Sequence, residues 1–587
     1  MPGSAAELRA LERLREVRGG EAAARKATLL RSLARRRLAT AAQLLRLHEA
    51  ACFLRAYPDS GAVLAEAERL LTTFAGRGDL RRHRLELADT GIAGTAIHYR
   101  FYAPTARWLA RRFPARLAID WPEFTRRDRL KSLLYLLAPY CESPPPDERK
   151  LSLPQWLARL RGEPESDAAF LIRRLAGLSR RAPLGDHLYE DLDLPIRLAP
   201  GAEVPSRTTA RAPGSPAAIR AAPLDRSRPD LRIAARRRPL AIRDVAPREG
   251  EALVDLAREA MLTRARDLDV FAQADPASVR MIDWDDGFQL ACMGAAPEGR
   301  FLLEAVYGFL MLQGGVPIGY VLASALFRSS EIAYNVFETF RGGEAARNYG
   351  RVLATVRTLF GSNAFAIDPY QLGHGNHEAI DSGAFWFYRK LGFAPPDAAR
   401  LRLLRSEERR IRRDPSYRSS PATLRKLAAG YVFFHLGRSR EDVLGKLPLD
   451  RIGMAVTEAL AVRAGSDVER GLDGCAAAAA AALAVRDLRR WSPAERAMFR
   501  RFSPLVLALP GLAGWSRDER AALARLIRVK GGRRESDYVT LFDAHPRLRR
   551  ALLRLATLES RTVIPAEAGI QSGDRSQRRP GPRLSPG

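Results

Sequence analysis

The stretch VFETFRGGEAA at residues 336–346 decides the fold, together with DSGAFWFYRKLGF at residues 381–393. The first places a strand-like apolar run before two adjacent glycines and a helix-forming sequence, and the second is an aromatic helix that ends at a glycine. Apolar side chains then recur at helical spacing through residues 345–360, at Val352, Leu353, Val356 and Leu359. The sequence therefore predicts a strand, a tight turn and a long amphipathic helix, with a second helix packed nearby.

The turn at Gly342 and Gly343 is suited to binding an anion. Because glycine has no side chain, main-chain N–H groups at the start of the helix can approach a ligand closely. The positive end of the helix dipole favours negative charge at the same place.

Several strand-like runs surround this turn, and we expect a mixed-sheet α/β domain over residues 238–400. Gly314 and Gly315 predict a hairpin between two of them. A helix is expected over 249–271. The predicted strands are 238–245, 288–294, 301–313, 316–327, 331–340 and 364–370.

This order of elements resembles the GNAT acyl-CoA N-acyltransferase superfamily, and two motifs are in register with it. The family pattern V-x-P-x-Y-R-G-x-G-x-G/A is similar to residues 336–346, and N-x-x-A-x-x-L-Y-x-K-x-G-F is similar to residues 381–393. The resemblance covers residues 238–400 and leaves both flanks unassigned. The sequence departs from the family pattern at Glu344, where glycine is usual, and at Asp381, where asparagine is usual.

The resemblance implies that the anion at the turn is the pyrophosphate of acetyl-CoA or another acyl-CoA. A carboxylate at Glu344 would repel that phosphate unless it turns toward solvent. The cofactor-binding residues implied are Arg341, Gly342, Gly343, Ala345, Ala346 and Asp381.

The resemblance also places Tyr388 close to the thioester sulfur, where its hydroxyl could protonate the leaving thiolate. The alternative is that Tyr388 and its aromatic neighbours only pack the helix against the sheet. Candidates for a general base are Glu331 and Glu338, with His374 and His377 in the loop before the last helix, and the sequence does not choose among them.

The same loop carries a metal-like spacing of imidazoles and carboxylates at His374, His377, Glu378 and Asp381. Glycines at 373 and 375 disfavour the regular helix that such a site would need, so we predict no metal. Asn376 is a candidate helix cap. A lone His48 on an apolar helical face is typical of a packed, hydrogen-bonded residue.

The flanks are predicted to be helical, at residues 1–198 and 401–558, from their leucine spacing and from serine caps at Ser492 and Ser516. Residues 199–237 are rich in Pro, Ala, Ser and Arg and favour a disordered linker. Residues 559–587 favour a disordered tail, part of which resembles translated interspersed repeats of bacterial genomes.

Composition restricts the function further. The formal net charge is +29, with 96 basic residues against 67 acidic ones. Only seven of the basic residues are lysine, and so much arginine beside so much alanine is typical of a GC-rich coding sequence. A polyanion-binding surface is the functional alternative, although the arginines are spread along almost every helix instead of forming one stripe. Four separated cysteines disfavour a disulfide framework. We expect no membrane insertion and a cytoplasmic location, because no long apolar span or secretory signal is found.

These observations favour an acyl-CoA-dependent N-acyltransferase that acts on an amine-bearing small molecule or protein. Two alternatives are a catalytically inactive binding or scaffold protein of the same fold, and a polyanion binder that uses RNA or an aminoacyl-tRNA. The sequence does not determine the acceptor, the oligomeric state or the pathway.

Overall fold

The computed structural model describes residues 3–162, 165–178 and 184–557, apart from the side chain of Glu148. The chain is 54% helix and 12% strand, which makes it a mixed α/β protein with helices at both ends. The predicted tail at 559–587 lies outside the described residues.

The first segment is helical, as predicted. Its leucines and alanines are buried at helical spacing, and side chains of Thr40 and Ser60 cap the third and fourth helices. The helices are α1 (Ser4–Leu14), α2 (Gly20–Arg35), α3 (Ala41–Ala56), α4 (Gly61–Thr73) and α5 (Gly78–Arg82).

Residues 97–198 form a separate unit with its own apolar core. The prediction that residues 1–198 are all helical is wrong here, because a three-stranded antiparallel sheet of order β1-β3-β2 holds the ends of this unit together. Its elements are β1 (Ile97–Tyr99), α6 (Ala103–Arg112), β2 (Leu117–Ile119), α7 (Arg127–Leu137), α8 (Pro145–Glu148), α9 (Leu153–Arg161), α10 (Asp167–Ala176), α11 (Leu184–Leu192) and β3 (Ile196–Leu198).

Residues 199–230, called the strap below, contain no helix or strand but follow a defined path. The strap hydrogen-bonds to the hairpin turn through Ala212 N and Gly315 O, 2.8 Å apart, and to the end of α3 through Arg220 N and Pro58 O, 2.9 Å apart. Thr208 is fully buried. The prediction of a disordered linker is wrong for this segment, because its polar groups find partners on the helices and the sheet.

The central domain carries the main sheet. Its elements are α12 (Leu231–Ala234), β4 (Ala241–Asp244), α13 (Pro247–Leu262), α14 (Asp269–Ala272), β5 (Arg280–Asp283), β6 (Phe288–Gly294), β7 (Ala305–Gln313), β8 (Val316–Leu326), β9 (Ser329–Val336), α15 (Ala345–Phe360), β10 (Ala364–Ile367), α16 (Pro369–Leu372), α17 (His377–Asp381) and α18 (Ala384–Lys390). Residues 314 and 315 both adopt positive φ, at 53° and 81°, which confirms the hairpin.

The C-terminal segment, residues 398–557, is not purely helical either. Its elements are α19 (Ala398–Arg413), α20 (Pro421–Leu427), β11 (Val432–His435), α21 (Leu449–Ala464), α22 (Val468–Ala482), α23 (Pro493–Ala508), α24 (Arg517–Lys530), α25 (Glu535–Asp543) and α26 (Pro546–Thr557). Ser492 and Ser516 form capping boxes, as predicted. The all-helical prediction for 401–558 is wrong at β11, which closes one edge of the main sheet.

The main sheet has eight strands in the order β11-β10-β9-β8-β7-β6-β5-β4. Every neighbouring pair is antiparallel except β9 and β10, which are parallel because α15 connects them. One continuous apolar core joins this sheet to the helices of both flanks. Among the described residues, none of the helices combines the length and the apolarity needed to cross a bilayer.

Candidate functional site

A cavity of about 290 Å³ opens beside the only parallel strand pair in the described sheet. The pairing of β9 with β10 runs from Ser329 opposite Ala364 to Glu331 opposite Ala366. Beyond this point the chain leaves β10 and turns into α16, while β9 continues to Val336. The cavity is lined from β8 and β9, from the turn and start of α15 and from the α16–α18 segment. The lining residues are Tyr320, Tyr334, Asn335, Val336, Arg341, Ala345, Tyr370, Gln371, Asn376, Glu378, Ala379, Ser382, Ala384, Phe387 and Tyr388.

Some main-chain N–H groups of β9 point toward the cavity, on the side of β10. Phe337 N, directly after the strand, donates to Ile318 O at 2.9 Å, on the β8 side. Because successive N–H groups of a strand point to opposite edges, those of Tyr334 and Val336 face away from β8. The N–H of Tyr334 interacts with the Tyr388 hydroxyl, so the N–H of Val336 is the main-chain donor that the cavity wall presents to a carbonyl or amide oxygen.

Tyr388, in α18, lies beside the main chain of Tyr334 in β9 and is 3% exposed. Its ring packs edge-on against Tyr349 and Phe393, with centroids 5.7 and 5.8 Å away. Burial raises the pKa of the Tyr388 hydroxyl well above its usual value, and an interaction with the Tyr334 main chain opposes this only in part. Tyr388 is therefore protonated at neutral pH, as a proton donor must be.

The mouth of the cavity is closed on one side by an ion pair between Arg341 and Glu378. Arg266 stands behind it, 8% exposed, and donates to Tyr320 Oη at 3.0 Å. Glu378 thus lies between two guanidiniums, and its distance to Arg266 is 3.9 Å. A ligand anion that binds Arg341 must compete with this carboxylate.

The predicted anion-binding turn is covered by other parts of the chain. Tyr57 Oη, from the end of α3, lies 2.7 Å from the position that a Cβ on Gly343 would occupy. The Glu16 carboxylate lies against Gly342 in the same way. Arg226 of the strap donates to Gly342 O at 2.6 Å and pairs with Glu16.

Glu344 does not turn to solvent. It is 1% exposed and accepts hydrogen bonds from Arg220 at 2.6 and 3.1 Å and from Asp225 N at 2.9 Å, both in the strap. Arg347, one turn along α15, adds a fourth bond at 3.2 Å. The condition under which a phosphate could bind beside this carboxylate, a side chain turned toward solvent, is therefore not met, because the strap supplies buried partners for it.

Glu331 lies near the start of β9 and is not part of the cavity lining. Tyr431, just before β11, donates to its Oε2 at 3.2 Å. Burial, with the nearby carboxylates of Asp368 and Glu304, raises the pKa of Glu331 to about 8. That value suits a general base near neutral pH, although Glu331 does not reach the cavity wall.

The structure brings together some of the predicted residues and separates others. Tyr388, Arg341 and Ala345 line the cavity. Gly342, Gly343 and Ala346 lie beside it, at the covered turn. Glu338 and Asp381 are exposed and do not line it.

The loop before α17 holds no metal-like arrangement. Within residues 3–162, 165–178 and 184–557, no three His, Cys, Asp or Glu side chains are grouped to hold an ion. Asn376 caps α17 by accepting from Ala379 N at 3.1 Å. His48 is fully buried and bonds Thr208 Oγ1 at 2.9 Å, which confirms the packed, hydrogen-bonded role.

Sequence reasoning missed the residues that give the cavity its polarity. Tyr334 donates to Ala345 O at 2.9 Å and so joins β9 to α15. Asn335 carries a buried Oδ1 with no hydrogen-bond partner in the described part of the chain. Both lie within the predicted strand, and the only available signal was their polarity within an otherwise apolar run.

Comparison with known proteins adds no relative: no protein-family model, no curated protein and no solved structure matches this chain. The site's own geometry is therefore the basis for any functional assignment.

Proposed function

We propose that this protein is an N-acyltransferase with a GNAT-like central domain, which transfers an acyl group from acyl-CoA or a related thioester to an amine. The observation that carries the proposal is the cavity beside β9 and β10, which is lined both by a main-chain donor, Val336 N–H, and by a buried, protonated tyrosine, Tyr388. The acceptor would be an amine on a small molecule or a protein.

A thioester supplies an activated acyl group, so that a C–N bond forms to the amine while the C–S bond to the thiol breaks. Val336 N–H is oriented to hold the carbonyl oxygen, which gains negative charge as the amine attacks. Tyr388 gives its proton to the departing sulfur. The amine releases one proton, which restores the phenol of Tyr388, so that protons balance over one turnover.

The test is release of free thiol by the full chain when acetyl-CoA is mixed with a panel of primary amines. Tyr388→Phe removes only the hydroxyl and should lower kcat about 10²- to 10⁴-fold with little change in KM. Tyr349→Phe is the matched control, since its buried hydroxyl has no partner among the described residues and does not line the cavity. That variant should keep wild-type rates.

Two results would count against the proposal. Equal rates for Tyr388→Phe and the wild type would remove the tyrosine from the chemistry. Absence of acetyl-CoA binding and of thiol release would favour the inactive binding or scaffold protein instead.

A second candidate function, polyanion binding, is favoured by a cleft of about 540 Å³ at the far end of α15. Arg236, Arg237, Arg238 and Arg357 line it, together with Ala235 and Thr358, and no carboxylate does. Of the four, Arg237 has a carboxylate partner, Asp285, at 3.5 Å. Four guanidiniums around one cleft suit the phosphates of RNA or of an aminoacyl-tRNA.

Binding of a single-stranded RNA of about 20 nucleotides, measured by fluorescence anisotropy over a salt series, tests this function. Replacing Arg236, Arg238 and Arg357 by alanine should reduce the slope of log K against log salt by about 2. A control with the same charge change replaces three exposed arginines of α19, namely Arg405, Arg409 and Arg412. Absent or salt-insensitive binding, or equal slopes for the two triple variants, would remove this candidate.

A further inference from the structure

We infer that the cavity recognises its donor by the acyl-pantetheine arm, and that the turn before α15 does not hold a pyrophosphate. The ligand class is thus a pantetheine thioester, whether the arm is free in a coenzyme or attached to an acidic carrier protein. This inference rests on the proposed function and concerns how that site selects its donor.

The first support is that Glu344 occupies the place of an anion at the start of α15. Its carboxylate is buried and receives four hydrogen bonds, from Arg220, Asp225 N and Arg347. The positive charges near this helix end are therefore already matched by an internal negative charge. A phosphate placed there would meet a buried carboxylate with no route to solvent.

The second support is a second internal carboxylate on the outer side of the same turn. Glu16 lies against Gly342 and pairs with Arg15 and Arg226. Burial acts to raise the pKa of Glu16, but the two arginines lower it below its usual value, so the group is ionised at neutral pH. Tyr57 covers the neighbouring Gly343, so the two glycines make room for the chain's own side chains.

The third support is the extent of the cavity. Of the residues that the resemblance implies for cofactor binding, Arg341 and Ala345 line it and the other four do not. Its volume of about 290 Å³ is near the lower limit of about 300 Å³ for small-molecule pockets. A cavity of this volume fits an extended acyl-pantetheine arm better than it fits the arm together with the nucleotide of CoA.

A polar group of the wall matches such an arm. Pantetheine has two amide groups, and each carries an N–H donor. Asn335 Oδ1, buried and unpartnered in the described residues, can accept one of these amide N–H groups. The arm would therefore satisfy an acceptor that the fold leaves open.

Calorimetric titration of the wild-type chain with acetyl-CoA, with acetyl-pantetheine and with adenosine 3′,5′-bisphosphate tests the inference directly. We expect the two thioesters to bind within about fivefold of each other and the nucleotide to show no binding. The inference is overturned if acetyl-CoA binds about 100-fold or more tightly than acetyl-pantetheine, as bonds to the phosphates would produce. If neither thioester binds, the proposed function itself fails, so the two failures are distinguishable.

A kinetic comparison distinguishes a free coenzyme from a carrier protein as the source of the arm. An acyl carrier protein loaded with the same acyl group is compared with acetyl-pantetheine and acetyl-CoA as donors for thiol release. A kcat/KM for the carrier that is about tenfold or more higher, and that falls with salt, assigns the source to the carrier. Equal values for all three donors also support recognition by the arm alone and assign no carrier.

A double variant without the two internal carboxylates tests whether they are what excludes a phosphate from the turn. Replacing Glu16 and Glu344 by glutamine removes both internal anions. Arg226 then loses its carboxylate partner and Arg220 and Arg347 each lose one of theirs, so acetyl-CoA should gain about tenfold or more over acetyl-pantetheine. Glu338→Gln, an exposed carboxylate on the same turn, is the control and should leave the ratio unchanged. An unchanged ratio in the folded double variant would overturn the argument. Should that variant not fold, Glu16→Gln, whose side chain is 31% exposed in the native chain, carries the same test.

Discussion

Glu331 offers a prediction whose sign and size both come from the structure. Its carboxyl group stands at the start of β9, where Ser324 of β8 and Ala366 of β10 flank it. Burial raises its pKa to about 8, and the carboxylates of Asp368 and Glu304 act in the same direction. The change we consider is Glu331→Gln, which keeps the shape and cannot ionise.

The sign follows from proton linkage. The folded state holds its proton up to about pH 8, whereas the unfolded chain loses it near the ordinary value of 4.5. Between these values the folded state binds more protons, so the free energy of unfolding falls as pH rises and levels off above about pH 8. The full difference corresponds to an upper bound of about 5 kcal/mol. Because Glu331 is only half-buried, we expect about 2 kcal/mol.

The assay is the thermal midpoint of the wild type and of Glu331→Gln at about pH 5 and about pH 8.5. At the lower pH both proteins carry a neutral side chain, so their Tm values should agree closely. At the higher pH the variant should melt about 2 to 4 °C above the wild type. Glu338→Gln, at an exposed position just after the same strand, should show no such pH dependence. A difference between variant and wild type that is the same at both pH values would refute the reasoning.

Two further changes test the packing of the N-terminal segment. Asp59→Asn leaves the fully buried ammonium of Lys26 without its counter-charge and should lower the free energy of unfolding by about 3 to 5 kcal/mol in a denaturant titration. Glu12→Gln is the control, because Glu12 forms an exposed ion pair with Arg46, and it should lower the same free energy by less than about 1 kcal/mol. Gly91→Ala should cost about 2 kcal/mol or more, because Gly91 has φ of +68° and an added Cβ would strike the main-chain oxygen of Thr263. Wild-type stability in either destabilising variant would contradict the corresponding contact.

The candidate site was predictable only where the residues carry a local pattern. The approach of Arg341, Ala345 and Tyr388 to one cavity follows from the strand, turn and helix order that the sequence predicts. Glu338 and Asp381 had similar support, yet they are exposed, because side-chain direction within a turn or at a helix end depends on a register that the pattern does not contain.

By itself, the sequence determined the elements whose information is local. These are α15, the glycine hairpin between β7 and β8, and the capping boxes at Ser492 and Ser516, since periodicity, positive φ and caps act over a few residues. Only the tertiary structure decided that β11 would close the sheet and that the strap would be ordered. It also decided that Glu344 would be buried. Each of these depends on partners more than 60 residues away in the chain, such as Arg220 for Glu344, 124 residues apart, and β10 for β11. Such partners are chosen by packing and charge pairing in the folded chain, which no short stretch of sequence encodes.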